Sequence, residues 1–295
     1  MVIVRRIGSW LAFALLWALH WLPTPALGSI GRSLGRILYR FGRGRVTDTN
    51  LALCFPDMPE RERKALAQRH FEALGRSAIE MTLLWFGSDE RLAGLVRLVG
   101  LEHLEGLRDK PLVVFAPHFV GVDVCGFRLA AEFPKSASIY SRPKNPVLDR
   151  LLLRGRLRLG STILLPRQEG MRAIVKALRE GRALYFLPDM DFGARDSIFS
   201  SFFGVPTATV TALPRLARLG RATVVPAVAR QVAHGYEMRI YPPWTDYPSG
   251  DLEADVRRMN AFVEDRVREM PEQYFWAHKR FKTRPPGEPS PYRRK

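Results

Sequence analysis

The chain has 295 residues, 46% of them apolar, which is enough for one large α/β domain with a full core. Its 46 lysines and arginines against 29 acids leave a net charge of +17 and point to an anionic partner: nucleic acid, an anionic membrane surface or a phosphorylated substrate. Cys54 and Cys125 have neither metal-ligand nor redox spacing and lie among apolar residues, which excludes a disulfide-stapled scaffold and a thiolate metal centre.

From Ile7 to Leu22 the chain is apolar except for Ser9 and His20; Pro23 and Pro25 interrupt it, and the apolar character resumes to Ile30. Sixteen helical residues span about 24 Å, short of the roughly 30 Å hydrocarbon core, so a crossing helix must run on towards Leu27 through its prolines. Residues 1–30 are read as a membrane anchor and 31–295 as one folded domain, since no composition break argues for a second. Arg32, Arg36 and Arg40 recur at i, i+4, i+8 on one helical face that suits lipid phosphates, and Arg43 and Arg45 follow. Five arginines after the segment against Arg5 and Arg6 before it place the bulk of the chain on the cytoplasmic side. The rival reading, a signal peptide cleaved near Ala26-Leu27-Gly28, is disfavoured because arginines directly after the cut would hinder export.

Residues 46–100 read as a helical lead-in: Pro56-Asp57-Met58-Pro59 makes a turn, and Glu60 to Phe86 carries Leu66, His70, Phe71, Leu74, Ile79, Leu83 and Leu84 at helical spacing. From 111 onward strands and helices alternate, which predicts a single α/β domain with a central mixed sheet flanked by helices. Strands are expected near 111–116, 136–140, 161–165, 183–187, 222–230 and 236–241, and helices over 121–132, 146–158, 169–180, 208–219 and 251–269. The tail from Arg284 to Lys295 is rich in proline and charge and is expected on the surface.

Polar groups gather at the strand ends, where sites form in α/β sheets. The strand Leu112–Ala116 ends in Pro117-His118, and Asp123 follows five residues on, the layout of a base steered by a carboxylate. Residues five apart on a helix point about 140° away from each other, so His118 belongs to the turn and Asp123 to the helix behind it, with Gly121 relieving the approach. The loop from Tyr140 to Pro146 offers Arg142 and Lys144, and the next helix ends in Arg154-Gly155-Arg156-Leu157-Arg158. After Ala183–Leu187 come Asp189 and Asp191; Asp189 is expected to pair with an arginine such as Arg156 in orienting substrate, and a Mg²⁺ site is set aside. Phe202-Phe203-Gly204-Val205-Pro206-Thr207, leading into a helix from Thr209, suits either the wall of an acyl-chain channel or core packing. With no Gly-x-Ser-x-Gly elbow and no reactive cysteine, direct transfer from a thioester to a hydroxyl follows, without an acyl-enzyme.

These blocks, taken in order, resemble one family: Asn50-Leu51 with Cys54-Phe55-Pro56, PHFVGVD, Arg142-Pro143 with Asn145-Pro146 and Asp149, Gly155-Arg156-Leu157-Arg158, PDMDFG, FFGVPT and PEQYFWAHKRFKTRP. The resemblance is to the lauroyl/myristoyl acyltransferases of lipid A biosynthesis. It implies an inner-membrane enzyme facing the cytoplasm that takes acyl chains from acyl carrier protein and needs no further cofactor. The acceptor it implies is a hydroxyl of the Kdo-bearing lipid A precursor. It further implies His118 as general base with Asp123 its partner, Arg156 and Asp189 as positions needed for activity, and Arg142 and Asp191 as weaker substrate-binding candidates. Asp123 stands where the family usually has Glu, and Met190 replaces a usually polar residue. Glycerolipid acyltransferases share the His-x-x-x-x-Asp logic, but Pro117 stands where they have Asn. A non-enzymatic binder of nucleic acid or anionic lipid would need exposed cations interleaved with aromatics, and only His278-Lys279-Arg280-Phe281-Lys282 has that pattern.

Overall fold

The computed structural model describes residues 13–133, 135–143, 145–158 and 162–292. From Thr24 onward nine α-helices and nine strands are traced through them, beginning with α1 (Thr24–Leu38), α2 (Arg45–Cys54), α3 (Glu60–Phe86) and α4 (Asp89–Leu95). The alternating core follows as β1 (Val96–Val99), β2 (Leu112–Phe115), α5 (Val122–Ala130), β3 (Ser136–Tyr140), α6 (Pro146–Arg156), β4 (Thr162–Pro166), α7 (Gly170–Arg179) and β5 (Ala183–Phe186). It closes with β6 (Ser197–Phe202), β7 (Val205–Val210), α8 (Ala212–Gly220), β8 (Thr223–Val232), β9 (Gly235–Ile240) and α9 (Leu252–Glu269). Local chemistry sets several of these boundaries. Asn145 Oδ1 accepts from the Val147 and Leu148 N–H groups to start α6, and Asp251 does the same for Glu253 and Ala254 at α9.

Seven strands form one mixed sheet in the order β1-β9-β8-β2-β5-β3-β4, parallel except for the β8–β9 hairpin. Leu112, Val113, Val114 and Phe115 of β2 are all buried, as a parallel strand covered on both faces requires. The chain steps one way along the sheet from β2 to β3 to β4 and back to β5 and β8, so right-handed crossovers put α5 and α6 on one face and α7 and α8 on the other. Side-chain contacts agree. The Tyr185 hydroxyl donates to the Val122 carbonyl on the α5 face, while Phe115, of opposite parity, packs on Trp244 and Phe262 of the α9 side.

On the α5 face, α1 lies along α3 with almost no side chain between them. A Cβ on Gly35 would stand 2.0 Å from the Phe71 carbonyl oxygen, and one on Gly75 would stand 2.2 Å from that of Gly31. Glu80 of α3 is fully buried and accepts from Arg76 Nε at 2.8 Å and from the Tyr236 hydroxyl at 2.5 Å, tying this helix to β9.

The α/β architecture agrees with the sequence reading, and three expectations are corrected. Residues 197–210 form an antiparallel hairpin, β6–β7, rather than the start of a helix at Thr209: Phe203 and Gly204, both with positive φ, make the turn that FFGVPT encodes. β1 lies within the stretch read as helical. The expected membrane helix does not run on through Leu27, because residues 13–19 are helical, a turn follows, and α1 starts afresh behind Pro23. Among the described residues no helix is long and apolar enough to cross a membrane, and residues 1–12 of the expected 1–30 anchor lie outside them.

Candidate active site

Two neighbouring parallel strands end in the same way. In the β2–β5 register Phe115 faces Phe186, and three residues beyond that pair stand His118 and Asp189, each preceded by proline. The register brings them abreast: the His118 backbone N–H donates to Asp189 Oδ2 at 2.9 Å, and the ring Nδ1 lies 2.6 Å from Asp189 Oδ1. Asp189 is 1% exposed, so this carboxylate has little water to compete for it. Burial favours its neutral form, but the His118 ring, the two hydrogen bonds from His118 and the Arg280 cation outweigh burial and hold the carboxyl below its ordinary range. With Nδ1 committed to the acid, the second ring nitrogen is left for proton transfer. The His118 loop is itself strapped down. Phe275 N–H donates to the His118 carbonyl and Val120 N–H to that of Gln273, so the carboxyl-terminal segment fixes the turn.

Asp123 is not the hydrogen-bonding partner that the motif spacing suggested. It is the second residue of α5, and its Oδ1 accepts from Arg156 Nη2 at 2.8 Å, while Gly121, at φ 85°, turns the chain into the helix. The expected pairs are therefore exchanged: His118 goes with Asp189, and Asp123 with Arg156. A one-strand motif carries no information about which neighbouring strand end stands beside it. Arg156 and Asp123 are part-exposed, and the guanidinium also lies over the Tyr140 ring, 5.9 Å from its centroid.

His118, Asp123, Arg156 and Tyr140 all line one cavity of about 780 Å³. On the α5 face Val114, Phe127, Leu129, Phe133 and Leu152 give it apolar walls, and the strands add Ser136, Ser138, Tyr185 and Thr162. Around the strand ends it reaches the α7 and α8 side, where Arg167, Arg195 and Arg215 line it with Asp196. Arg167 stacks on Phe192 at 4.3 Å, and Asp196 lies 3.8 Å from both Arg195 and Arg215, so the rim keeps a positive balance. The sequence reading missed these three arginines because they come from different elements with no shared spacing.

Asp191 and Arg142 are placed elsewhere. Asp191 is buried and takes hydrogen bonds from Gly193 N–H, Thr283 N–H and the Thr283 hydroxyl, clasping the carboxyl-terminal segment. Arg142 is exposed and bonds Asp149, which also accepts from the Tyr140 hydroxyl. Neither lines the cavity. Arg158 reaches the Leu83, Leu84 and Gly87 carbonyls at the end of α3, a structural use of the basic cluster. Burial pushes the thiols of Cys54 and Cys125 well up, which disables them as nucleophiles. Among the described residues no group of three or more His, Cys, Asp or Glu is arranged to hold a metal. Arg280 and Phe281 are buried, so the one basic-aromatic run is not an exposed binding face.

A family profile described as "Bacterial lipid A biosynthesis acyltransferase" matches residues 1–283. The lipid A biosynthesis lauroyltransferase of Escherichia coli (strain K12) is 34% identical over 291 residues, covering 96% of this chain and 94% of that protein. The myristoyltransferase of the same organism is 34% identical over 297 residues, covering 99% and 92%, and its palmitoleoyltransferase is 32% identical over 291 residues, covering 96% and 94%. Among solved structures, a 1-acyl-sn-glycerophosphate acyltransferase from Thermotoga maritima matches over 81% of this chain and 97% of its own, at 15% identity and a TM-score of 0.39, too low to carry an argument.

Proposed function

As the chain belongs to the bacterial lipid A biosynthesis acyltransferases, we propose that it transfers a fatty acyl chain from acyl carrier protein to a hydroxyl of the Kdo-bearing lipid A precursor, with His118 as the base. The observation that carries this reading is the His118–Asp189 pair at the mouth of a largely apolar cavity. In the proposed reaction the acceptor hydroxyl loses its proton to His118 as its oxygen attacks the thioester carbonyl carbon. The imidazolium that forms is stabilised by Asp189, and collapse of the tetrahedral intermediate breaks the C–S bond. The proton then passes to the leaving thiolate, so that ester and thiol are the products and no acyl-enzyme forms.

Arg156, held by Asp123, supplies cationic donors for the developing oxyanion or for a substrate phosphate. Arg167, Arg195 and Arg215 extend that positive surface towards the anionic acceptor headgroup. The acyl chain occupies the apolar part of the cavity.

The enzyme works at the cytoplasmic face of the inner membrane in this proposal. Supporting it, Leu15, Trp17, Trp21, Ile30, Leu34, Ile37, Leu38 and Phe41 are exposed along the amino-terminal segment. Large apolar and tryptophan side chains left in the open suit the acyl and headgroup boundary of a bilayer. Incubating the purified chain with acyl carrier protein thioesters and the precursor, with and without its Kdo sugars, and weighing the lipid products tests the assignment. A mass gain of one acyl group on the Kdo-bearing acceptor is expected; transfer only to a glycerolipid acceptor would replace the proposal.

A further inference from the structure

The register of the sheet gives the acyl part of the cavity a length. On the α5 face the cavity is lined by layers of residues two positions apart along the strands. Tyr140 and Leu187 form the layer nearest His118, Ser138, Tyr185 and Val114 the middle one, and Ser136, Ala183 and Thr162 the far one. The middle and far layers are each in direct cross-strand register. The far layer lies deepest from His118 along the strands. Ser136 Oγ and Thr162 Oγ1 bond each other at 2.7 Å, and Phe133, 5% exposed, packs at the same end behind α5. From Tyr140 to Ser136 there are four strand steps of about 3.3 Å, roughly 13 Å in all. A staggered alkyl chain with C–C bonds of about 1.5 Å advances about 1.25 Å per carbon, so roughly ten methylenes fill that length. The carbonyl carbon and its neighbour stand at the mouth beside His118.

We infer that this chain selects acyl donors of ten to twelve carbons, and that Phe133, Ser136, Thr162 and Ala183 form the stop that sets the limit. The relatives' names span lauroyl, myristoyl and palmitoleoyl transfer, so membership of the family leaves the length undecided. The inference rests on the proposed acyl transfer and adds the residues that measure the chain. Up to the stop, each methylene buried strengthens the donor's hold about fourfold; past the stop the next one meets the satisfied Ser136–Thr162 pair and the Phe133 ring.

The test is kcat/KM for acyl carrier protein thioesters of eight, ten, twelve, fourteen and sixteen carbons on the Kdo-bearing precursor. A maximum at ten or twelve and a fall of at least about tenfold by sixteen are expected, the range one or two misplaced methylenes produce. Ala183→Val, which adds bulk to the stop in a strand-compatible side chain, moves the maximum to shorter donors, and Phe133→Ala moves it to longer ones. The same chain-length series of free fatty acids, read by thermal protection of the unmodified protein, measures the cavity without turnover. A maximum at fourteen or beyond, a flat profile, or variants that fold yet keep the original optimum would overturn the inference. Length-dependent protection without product from any donor would instead sink the reaction assignment and leave the measured stop standing.

Discussion

Replacing Asp189 by Asn separates the pairing seen here from the one the motif suggests. The Asp189 carboxylate makes two contacts with His118, Oδ2 to the backbone N–H at 2.9 Å and Oδ1 to ring Nδ1 at 2.6 Å, in a site 1% exposed. In Asp189→Asn the one remaining oxygen stays with the backbone N–H, because a buried donor left unpaired costs about 1–3 kcal/mol. The new NH₂ group then faces Nδ1, turns it into an acceptor, and forces the proton onto the other ring nitrogen. The base is thereby occupied, and the anion that would stabilise the imidazolium is gone. A wrong tautomer beside a lost carboxylate lowers kcat about 10³–10⁴-fold in catalytic sites of this logic, or roughly 4–5.5 kcal/mol in the barrier. Asp189 does not line the cavity, so KM for both substrates stays within about threefold. Steady-state kinetics with the donor and acceptor varied separately reads this, and double-mutant cycles complete it. His118→Ala added to Asp189→Asn costs little more than either alone, and Asp123→Asn is coupled in the same way to Arg156→Met. An Asp189→Asn enzyme within tenfold of the parent kcat would refute the reasoning.

Three further outcomes follow from the packing. Glu80→Ala leaves Arg76 buried without its carboxylate and strips the Tyr236 hydroxyl of its acceptor, so urea denaturation is expected to show a loss of about 3–5 kcal/mol; a loss under about 1 kcal/mol would show that the network relaxes. Gly35→Leu drives a Cβ into the Phe71 carbonyl at 2.0 Å, so α1 is expected to leave α3, with protease cleavage near residue 44 and weaker sedimentation with vesicles; an unchanged digestion pattern would contradict the seam. His70 is fully buried, its Nδ1 bonding the Glu272 carbonyl, and burial pushes its imidazole down to about 4. Between pH 6.5 and 4 the unfolded chain therefore holds a proton at this residue that the folded chain does not. Stability falls as pH drops through that window, by about 3 kcal/mol from this group alone. His70→Asn keeps a donor for Glu272 and should flatten the acid limb by that amount, whereas parallel limbs would remove His70 from the account.

Much of the fold is legible because the sheet is built from short apolar runs ended by proline or glycine, and the helices between them start at readable caps such as Asn145 and Asp251. The hairpin at 197–210 escaped because its turn residues, Phe203 and Gly204, read equally well as an apolar loop, and β1 escaped because four residues after a helix carry no period of their own. Within the site, His118 stood out by its place after a strand, but its partner depended on strand order, which no local spacing encodes. One trace was available all the same: Phe115-Ala116-Pro117-His118 and Phe186-Leu187-Pro188-Asp189 share a pattern, and two strand ends of one pattern in adjacent register set their fourth residues side by side. The α1–α3 glycine seam was unreadable for a related reason, since glycines in an apolar helix look like weak helix formers until the partner helix is known.

The most direct test of the central claim is turnover by a His118→Gln enzyme, checked to fold and to sediment with membranes as the parent does. The introduced amide keeps polar atoms at the cavity mouth but cannot take a proton at neutral pH. With an acyl carrier protein thioester and the Kdo-bearing precursor, the parent is expected to add one acyl mass, and the variant is expected to fall at least about 10³-fold with substrate binding retained. Acylation by the variant at near-parental rate would remove His118 as the base and the mechanism with it.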